Sequence, residues 1–195
     1  MIVAVVLSAG ESRRMGRPKA LLPIGEVSFM ERIVTTLQAT TVEKIVVVLG
    51  HNAADIKTKI AHLPVTIVVN PHHAQGQLSS LVAAIRSLQA EKVDGILVHL
   101  VDHPFVNPGL VNRMIESFYQ SKKLIVVPKW HGRRGHPVIF SSRLFDELLA
   151  APLDQGAKSV VHAHASETLE IETEEEGITF DIDTPEDYRR HVREE

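Results

Sequence analysis

An arginine-rich loop that starts with small residues follows the first apolar run of the chain. The run ends at Ser8, Ala9 and Gly10, and SRRMGRPK comes shortly after. Small residues let backbone N–H groups approach a ligand closely, and successive N–H groups can form a nest for an anion. Arg14 and Lys19 would add full positive charges. The loop therefore predicts a polyphosphate site; the alternative is a flexible surface loop whose basic residues are incidental.

The glycine spacing distinguishes this loop from two common phosphate-binding motifs. It lacks the dinucleotide fingerprint G-x-G-x-x-G, and a P-loop would carry lysine directly after its second glycine. Here Gly16 is followed by Arg17, Pro18 and only then Lys19. The loop is therefore predicted to bind phosphate through the same kinds of groups, backbone amides and basic side chains, but with a different residue spacing.

A carboxylate follows another apolar run and could hold a metal ion. Asp102 comes directly after GILVHLV, a run without acidic or basic residues other than histidine. A carboxylate at that end of a strand is well placed to bind Mg²⁺ beside phosphates, because Mg²⁺ takes oxygen ligands. The alternative is that Asp102 caps the next helix, but Pro104 and Pro108 intervene.

Polar residues also cluster around the start of a predicted helix. Asn70 follows the run VTIVV, Gly76 comes soon after, and Ser79 and Ser80 lie in the first turn of LSSLVAAIRSL. One interpretation is a plain helix start with free N–H groups. The other is that these hydroxyls and amides bind a base edge or a phosphate.

Cysteine and histidine usage excludes several other chemistries. The chain has no cysteine, which excludes disulfides, zinc fingers and thiol catalysis. Its histidines show no zinc-like spacing, since His162 and His164 would diverge by about 200° on a helix. His99 is predicted to be a satisfied core residue, and His103 a neighbour of Asp102 rather than a ligand. There is no G-x-S-x-G elbow for a serine nucleophile.

Alternating apolar patterns predict the elements that must position these residues. Continuous Val, Ile and Leu runs alternate with helical patterns, which indicates a parallel α/β sheet covered on both faces. The predicted strands are residues 2–7, 44–50, 65–69, 95–101 and 124–128, and the predicted helices are 29–37, 52–61, 78–88 and 108–120. Ser28 is predicted to cap the first helix. We expect 130–137 to be a loop and 172–177 to be a solvated turn between two late strands.

Four segments that carry polar residues are each expected to follow the carboxyl end of a strand. In open parallel sheets, ligands bind beyond the carboxyl ends of the strands. The four segments are residues 8–10, Asn70 with Gly76, residues 102–104 and residues 181–183. We therefore expect residues that are far apart in sequence to line one cleft.

Composition sets the outer bounds of function. With 195 residues, the chain is predicted to form one domain, residues 1–195, with a core large enough to be stable without disulfides or structural metals. A net charge of −3 argues against a nucleic-acid partner, which would need a basic surplus. No apolar run approaches the ~20 residues that span a bilayer, and we find no signal-peptide pattern, so we expect no membrane partner and a cytoplasmic location.

Taken together, these motifs resemble a known family. LSAGESRRMGRPK is similar to the signature L-x-[AG]-G-x-S-x-R-M-G-x-x-K of nucleotidyltransferases with the molybdenum cofactor guanylyl- and cytidylyltransferase fold. The similarity continues through VVVLGH, GQLSSL, VDHP, GRRGHPVIF and DIDTPEDY, and the last two point to the cytidylyltransferase branch. The resemblance implies a Rossmann-like three-layer α/β sandwich of the nucleotide-diphospho-sugar-transferase type, with a mostly parallel sheet.

The resemblance also implies a reaction. The cytidylyltransferase branch uses Mg²⁺ to transfer CMP from CTP to molybdopterin that carries molybdenum, which gives molybdopterin cytosine dinucleotide and pyrophosphate. The implied partners are CTP or another NTP, the phosphorylated molybdopterin-type acceptor, and a molybdenum hydroxylase. A phosphate monoester is ionised at pH 7 and needs no general base, so positioning and charge neutralisation would supply most of the catalysis.

Carried over by position, the family motifs imply a role for each candidate residue. The catalytic residues would be Arg14, Lys19 and Asp102. The nucleotide-binding residues would be Ser8, Ala9, Gly10, Lys19, Asn70, Gly76, Ser79 and Ser80. The acceptor-binding residues would be Arg133, Arg134, Gly135 and His136, and the metal ligands would be Asp102 and Asp183. Relatives commonly have LAAG where this chain has Ser8, GMSSSL where it has Gln77 and Leu78, and DQP where it has His103.

Two alternatives to the cytidylyltransferase hypothesis stay open. One is a guanylyltransferase, or another NTP transferase that acts on a different phosphorylated acceptor. The other is a non-catalytic molybdenum cofactor carrier or chaperone. The set of Lys19, Asp102 and Asp183 counts against a carrier, because a carrier does not need a metal-bound triphosphate.

Overall fold

The first strand lies in the middle of a mixed sheet. β1, Ile2–Ser8, pairs in parallel with a strand on each side, and all seven of its residues are buried. Its side chains alternate between the two faces, so that Val6 joins one apolar cluster and Val5 joins another. Burial on both faces explains why the sequence of this strand is apolar without interruption. The computed structural model describes residues 1–192.

The described residues form ten strands and seven α-helices. The strands after β1 are β2 Pro23–Ile24, β3 Val27–Ser28, β4 Lys44–Leu49, β5 Thr66–Val69, β6 Gly95–Leu100, β7 Ile125–Trp130, β8 Arg133–Arg134, β9 Val138–Ser141 and β10 Thr168–Glu172. The helices are α1 Phe29–Gln38, α2 Ala53–Lys59, α3 Gln77–Ser87, α4 Pro108–Ser121, α5 Phe145–Ala150, α6 Lys158–Ala163 and α7 Pro185–His191. Within residues 1–192, none of these helices has the length and apolar character needed to cross a membrane.

The sheet is mostly parallel. Its strand order is β10-β7-β9-β6-β1-β4-β5, and β8 pairs with β7. The pairs β1–β4, β1–β6, β4–β5 and β7–β10 are parallel, and β9 runs antiparallel to both of its neighbours. Since β9 reverses direction between them, β6 and β7 point the same way. The carboxyl ends of β1, β4, β6 and β7 therefore lie at one edge of the sheet.

Helices cover both faces of the sheet and complete three layers. On one face, α1 and α4 contribute buried residues such as Ile33 and Met114 to the first apolar cluster. On the other face, α3 and α5 contribute Leu81 and Leu148 to the second cluster. The predicted three-layer α/β fold with a mostly parallel sheet is confirmed.

The predicted elements of the first two thirds of the chain agree with the structure within two residues at each end. The predicted cap of α1 is confirmed: the Ser28 hydroxyl accepts a hydrogen bond from the Glu31 amide at 3.2 Å, and the Glu31 carboxylate accepts one from the Ser28 amide at 2.6 Å. This reciprocal capping box fixes the start of α1.

Two predictions for the last third were wrong. Residues 130–137 are not a plain loop, because β7 and β8 form a tight antiparallel hairpin. Its turn residues His131 and Gly132 both have positive φ angles, 44° and 82°, as a type I′ turn requires. The turn at 172–177 leads to a 3₁₀ turn, Glu176–Thr179, instead of a second late strand.

A third, smaller apolar cluster ties the basic loop to the end of the chain. Met15 from the loop packs with Leu22 and Phe29, and also with Ile182 and Val192. These five residues are all buried. The cluster therefore fixes the basic loop and the segment around Ile182 against each other.

Candidate active site

A cavity of about 310 Å³ opens beyond the carboxyl ends of β1 and β6. The residues that the sequence predicted and that line it are Ser8, Ala9, Gly10, Arg14, Lys19, Gly76, Ser80, Asp102 and Asp183. Each of the four predicted segments contributes at least one of them. The expected convergence at one edge of the sheet is therefore present in the fold.

Hydrogen bonds within the basic loop fix its shape. Ser12 has a positive φ of 51°, and its carbonyl accepts hydrogen bonds from the amides of Met15 and Gly16, each at 3.0 Å. Its hydroxyl accepts a third from the Lys19 amide at 3.2 Å. With Met15 buried in the third cluster, the loop is a shaped turn that aims Lys19 into the cavity.

The ammonium of Lys19 lies between two carboxylates at the bottom of the cavity. Its Nζ donates to Asp102 Oδ2 at 3.0 Å and to Asp183, and it lies 3.9 Å from Asp181 Oδ1. Arg14 donates to Asp183 as well, from the exposed side. Burial opposes the charged form of Lys19, but the carboxylates of Asp102 and Asp183 outweigh it and raise the pKa of the ammonium. Lys19 is therefore charged where a triphosphate would enter.

The three aspartates outnumber the two basic side chains that contact them. Burial opposes ionisation of Asp183, yet Lys19 and Arg14 hold the pKa of its carboxyl below the usual range. For Asp181, burial and the two neighbouring carboxylates raise the pKa to about 6. This negative surplus is the electrostatic condition that favours a bound divalent cation.

Asp102 keeps one oxygen available for another partner. Its Oδ1 is buried and has no hydrogen-bond partner within residues 1–192, whereas Oδ2 accepts from Lys19. One ligand atom each from Asp102, His103 and Asp181 lie within 4.8 Å of one another, so the three residues could hold a metal ion. The capping alternative is excluded, because the side chain of Asn107 caps α4 instead.

Three histidines with buried Nδ1 atoms lie close together near Asp102. The rings of His103 and His136 lie 5.0 Å apart, and burial lowers the pKa of both, that of His136 to about 4. His99 is 2% exposed, as its place in a strand predicted, and burial lowers its pKa to about 3. The prediction that His99 is satisfied was wrong, because its Nδ1 has no hydrogen-bond partner in the described chain.

The segment that carries Asp181 and Asp183 does not leave a strand, so that expectation was wrong. It follows the 3₁₀ turn Glu176–Thr179 and is fixed by its middle residue. The Ile182 side chain is fully buried in the third cluster, and its amide donates to the carbonyl of Asp102 at 3.1 Å. This backbone hydrogen bond brings the two aspartates beside Asp102.

Asn70 and Ser79 make internal hydrogen bonds at the start of α3, whereas Ser80 lines the cavity. Asn70 is 2% exposed, and its Nδ2 donates to the hydroxyls of Ser79 at 2.9 Å and Ser80 at 3.0 Å. Ser79 donates back to the carbonyl of Gly76 at 2.7 Å, while Ser80 lines the cavity. Gly76, directly before α3, has φ 95° and ψ 179°, a conformation that only glycine adopts readily. Asn70 and Ser79 thus shape the amino end of α3, which faces the cavity through Gly76 and Ser80.

The four residues predicted to bind the acceptor do not line this cavity. Arg133 and Arg134 are exposed in β8, and Arg134 donates to Glu170 at 2.8 Å. Gly135 packs so closely that an added Cβ would lie 2.3 Å from the Ile178 carbonyl oxygen, and the His136 amide donates to that same oxygen at 3.0 Å. The hairpin nevertheless follows the carboxyl end of β7, at the same edge of the sheet as Asp102.

Several residues that line the cavity were not predicted from the sequence. Ser12 and Arg13 belong to the basic loop; the family signature specifies a serine at position 12 and could have identified Ser12, whereas position 13 is unspecified in it. His73 and Gln77 flank Gly76 and also line the cavity, but no local pattern separates them from ordinary turn residues. Asp181 was grouped with Asp183 by sequence, and its position near Asp102 and His103 depends on tertiary packing.

Known proteins resemble this chain in sequence and in fold. The model of a family described as the MobA-like NTP transferase domain matches residues 4–168. Molybdenum cofactor cytidylyltransferase of Escherichia coli is 28% identical over 194 residues, which cover 96% of this chain and 93% of that protein. A probable molybdenum cofactor guanylyltransferase of Bacillus cytotoxicus is 38% identical over 139 residues, 68% of this chain and 64% of the relative. The crystal structure of Rv0371c from Mycobacterium tuberculosis in complex with manganese has a TM-score of 0.82 and 27% identity, over 98% of this chain and 97% of that one.

Proposed function

This chain belongs to the MobA-like NTP transferase family, and we propose that it transfers CMP from CTP to the terminal phosphate of molybdenum-molybdopterin. The products would be molybdopterin cytosine dinucleotide and pyrophosphate. One observation carries the proposal: the cavity holds two cations, Arg14 and Lys19, against the carboxylates of Asp102 and Asp183. The choice of base and acceptor is supported by similarity to the cytidylyltransferase of Escherichia coli.

The triphosphate would bind in the cavity through cations and backbone amides. Residues 9 and 10 and the amino end of α3 line the cavity, and backbone amides in such places would suit an anion. Arg14 and Lys19 would exchange their carboxylate partners for phosphate oxygens when the nucleotide enters. An ammonium and a guanidinium that are already placed at the site lose little freedom on binding.

The chemical step needs positioning more than proton transfer. An oxygen of the acceptor phosphate forms a bond to the α-phosphorus of CTP, and the bond from that phosphorus to the departing pyrophosphate breaks. The acceptor phosphate is largely ionised at pH 7, since its second pKa is near 6, and no general base is required. Lys19 and Arg14 would stabilise the negative charge that builds up on the transferred and departing phosphates.

The residues at the site fit a divalent cation, which we propose to be Mg²⁺. The buried, unpartnered Oδ1 of Asp102 (judged over residues 1–192) is the observation that supports this fit. Asp102 would hold the ion, and Asp183 would join it once Lys19 and Arg14 bind phosphate. Such an ion, when bound, neutralises charge on the reacting phosphates. The manganese complex of the relative Rv0371c is consistent with a divalent cation.

We propose that the acceptor approaches from the β7–β8 hairpin. Arg133 and Arg134 are exposed there, and guanidinium groups bind phosphate through paired hydrogen bonds. Gly135 and His136 would support the hairpin from below through their contacts with Ile178. The proposal also includes a cytoplasmic location and delivery of the product to a molybdenum hydroxylase.

The test is pyrophosphate release from CTP, GTP, ATP and UTP, each with Mg²⁺ and molybdenum-molybdopterin. We expect CTP to be preferred, because Ala9 stands where GTP-using relatives tend to carry glycine, and its methyl group leaves less room for a purine. Equal or faster turnover with GTP would replace the cytidylyl assignment with a guanylyl one, which the Bacillus cytotoxicus relative supports. Tight pterin binding without pyrophosphate release would instead favour the carrier alternative.

A further inference from the structure

His103 occupies a position that its packing alone does not explain. Its side chain is only 8% exposed although it carries two polar ring nitrogens, and it follows Asp102 directly in the chain. Its Nδ1 is buried without a hydrogen-bond partner among the described residues, and Asp102 Oδ1 is in the same state. An unpaired buried oxygen is costly, so Oδ1 of Asp102 indicates a missing partner, and the ring atom of His103 beside that oxygen is Nε2 rather than Nδ1.

The geometry of the group fits one shared cation. The Nε2 atom of His103 lies 3.8 Å from Oδ1 of Asp102. One ligand atom each from Asp102, His103 and Asp181 lie within 4.8 Å of one another. Ligands about 2.1 Å from an octahedral ion lie about 3 Å apart when adjacent and about 4.2 Å apart when opposite. The three atoms are therefore within about an ångström of the separations that a bound ion requires. The ammonium of Lys19 donates to the other oxygen of Asp102, Oδ2, and so leaves Oδ1 without a partner.

We propose that His103 is a nitrogen ligand of the metal site, together with Asp102 and Asp181, and that the site binds Mn²⁺ more tightly than Mg²⁺. Oxygen ligands suit Mg²⁺, whereas an imidazole ligand favours transition-metal ions. Mg²⁺ still binds through the carboxylates. The inference rests on the proposed function only in treating Asp102 as a metal ligand.

The test uses the metal alone, without nucleotide or acceptor. The intact chain is titrated with Mn²⁺ and followed by the electron paramagnetic resonance signal of free Mn²⁺, and bound Mn²⁺ is examined for ¹⁴N modulation in the electron spin echo. His103→Gln supplies the amide that relatives commonly have at this position, and exposed His162→Gln is the matched control. Mg²⁺ affinity is measured by competition against Mn²⁺.

We expect ¹⁴N modulation in the wild-type chain and in His162→Gln, and its loss in His103→Gln. The dissociation constant for Mn²⁺ should rise about tenfold or more in His103→Gln, while that for Mg²⁺ changes less than about threefold. Wild-type Mn²⁺ without ¹⁴N modulation would overturn the proposal, and so would unchanged Mn²⁺ affinity in His103→Gln. If that variant does not fold, wild-type chain labelled with ¹⁵N-histidine decides the matter, because a histidine ligand must change the modulation from ¹⁴N to ¹⁵N.

This outcome is independent of the proposed reaction. A chain that releases pyrophosphate from CTP but shows no nitrogen ligand keeps the proposed function and loses this inference. A chain with a nitrogen ligand that turns over no CTP keeps this inference and loses the proposed function.

Discussion

Replacing Lys19 with methionine should change nucleotide binding and metal binding in opposite directions. Methionine keeps most of the length of the side chain but removes the ammonium that now binds Asp102 and Asp183. In the wild-type chain, a metal ion without nucleotide must enter a site whose carboxylates already have a cation. In Lys19→Met, Asp102 loses its ammonium partner and Asp183 keeps only Arg14, so the metal has less competition.

The structure gives the size of both effects. Losing a charge-assisted contact to a triphosphate costs about 1.5–3 kcal/mol, or roughly 10- to 150-fold in turnover at subsaturating CTP. Two unit charges 4 Å apart interact by about 1 kcal/mol in water and by about 4 kcal/mol near a protein surface. The aspartate side chains are 21% and 23% exposed, so we use the lower part of that range. Mn²⁺ alone should then bind roughly tenfold tighter to Lys19→Met.

Two assays check this prediction. Mn²⁺ titration without nucleotide measures the gain, and pyrophosphate release with CTP measures the loss. Lys92→Met is the matched control, because Lys92 is exposed and precedes β6 at the opposite edge of the sheet. Weaker or equal Mn²⁺ binding in Lys19→Met would refute the idea that the ammonium and the metal compete for the same carboxylates. Unchanged turnover would remove Lys19 from the triphosphate site.

Three further predictions concern activity, packing and pH. Asp102→Asn should reduce Mg²⁺-dependent pyrophosphate release by orders of magnitude with little loss of stability, and Asp183→Asn should be milder; near-wild-type activity of Asp102→Asn would contradict the metal assignment. Gly135→Ala should lower the free energy of unfolding by about 1–3 kcal/mol in urea titrations, because its Cβ would lie 2.3 Å from the Ile178 oxygen. Gly10→Ala is the control and should leave this free energy unchanged, because its Cβ would have no neighbour within 4 Å. Burial lowers the pKa values of His99 and His136 to about 3 and 4, so below pH 6.5 the unfolded chain binds more protons than the folded chain. The free energy of unfolding should therefore fall by about 2 kcal/mol from pH 7 to 5.5. Equal unfolding free energies at the two pH values would show that these histidines are not buried in the neutral form.

The parts of the fold that depend on local pattern could be predicted from the sequence. β1 is buried on both faces, so its residues are all apolar, and its end could be recognised at Ser8. The basic loop and Asp102 each follow such a strand, and the rule that ligands bind at carboxyl ends placed them together. Ser28 marks the start of α1 because it forms a capping box with Glu31, three residues later. In each case the evidence lies within a few residues.

The parts that depend on long-range packing could not be predicted. Asp183 lies 164 positions from Lys19, and the segment that carries it has no strand pattern from which its position in the fold could be predicted. Gly135 was predicted to contact the acceptor, but its space is taken by the carbonyl of Ile178. The hairpin turn at His131 was missed because a type I′ turn usually carries Asn-Gly or Asp-Gly.

Packing of the third apolar cluster determines how the charges at the site are balanced. Met15 and Ile182 are both buried in it, and they are covalently close to Arg14 and Asp183, which contact each other. Burying the two apolar side chains therefore brings a cationic loop and an acidic segment together. An ion pair that is open to solvent would contribute little to this by itself. Because the apolar cluster holds the two segments together, we expect the ionic contacts in front of it to exchange for phosphate and metal without loss of the fold. A site built this way can release its own ion pairs at the moment when substrate replaces them.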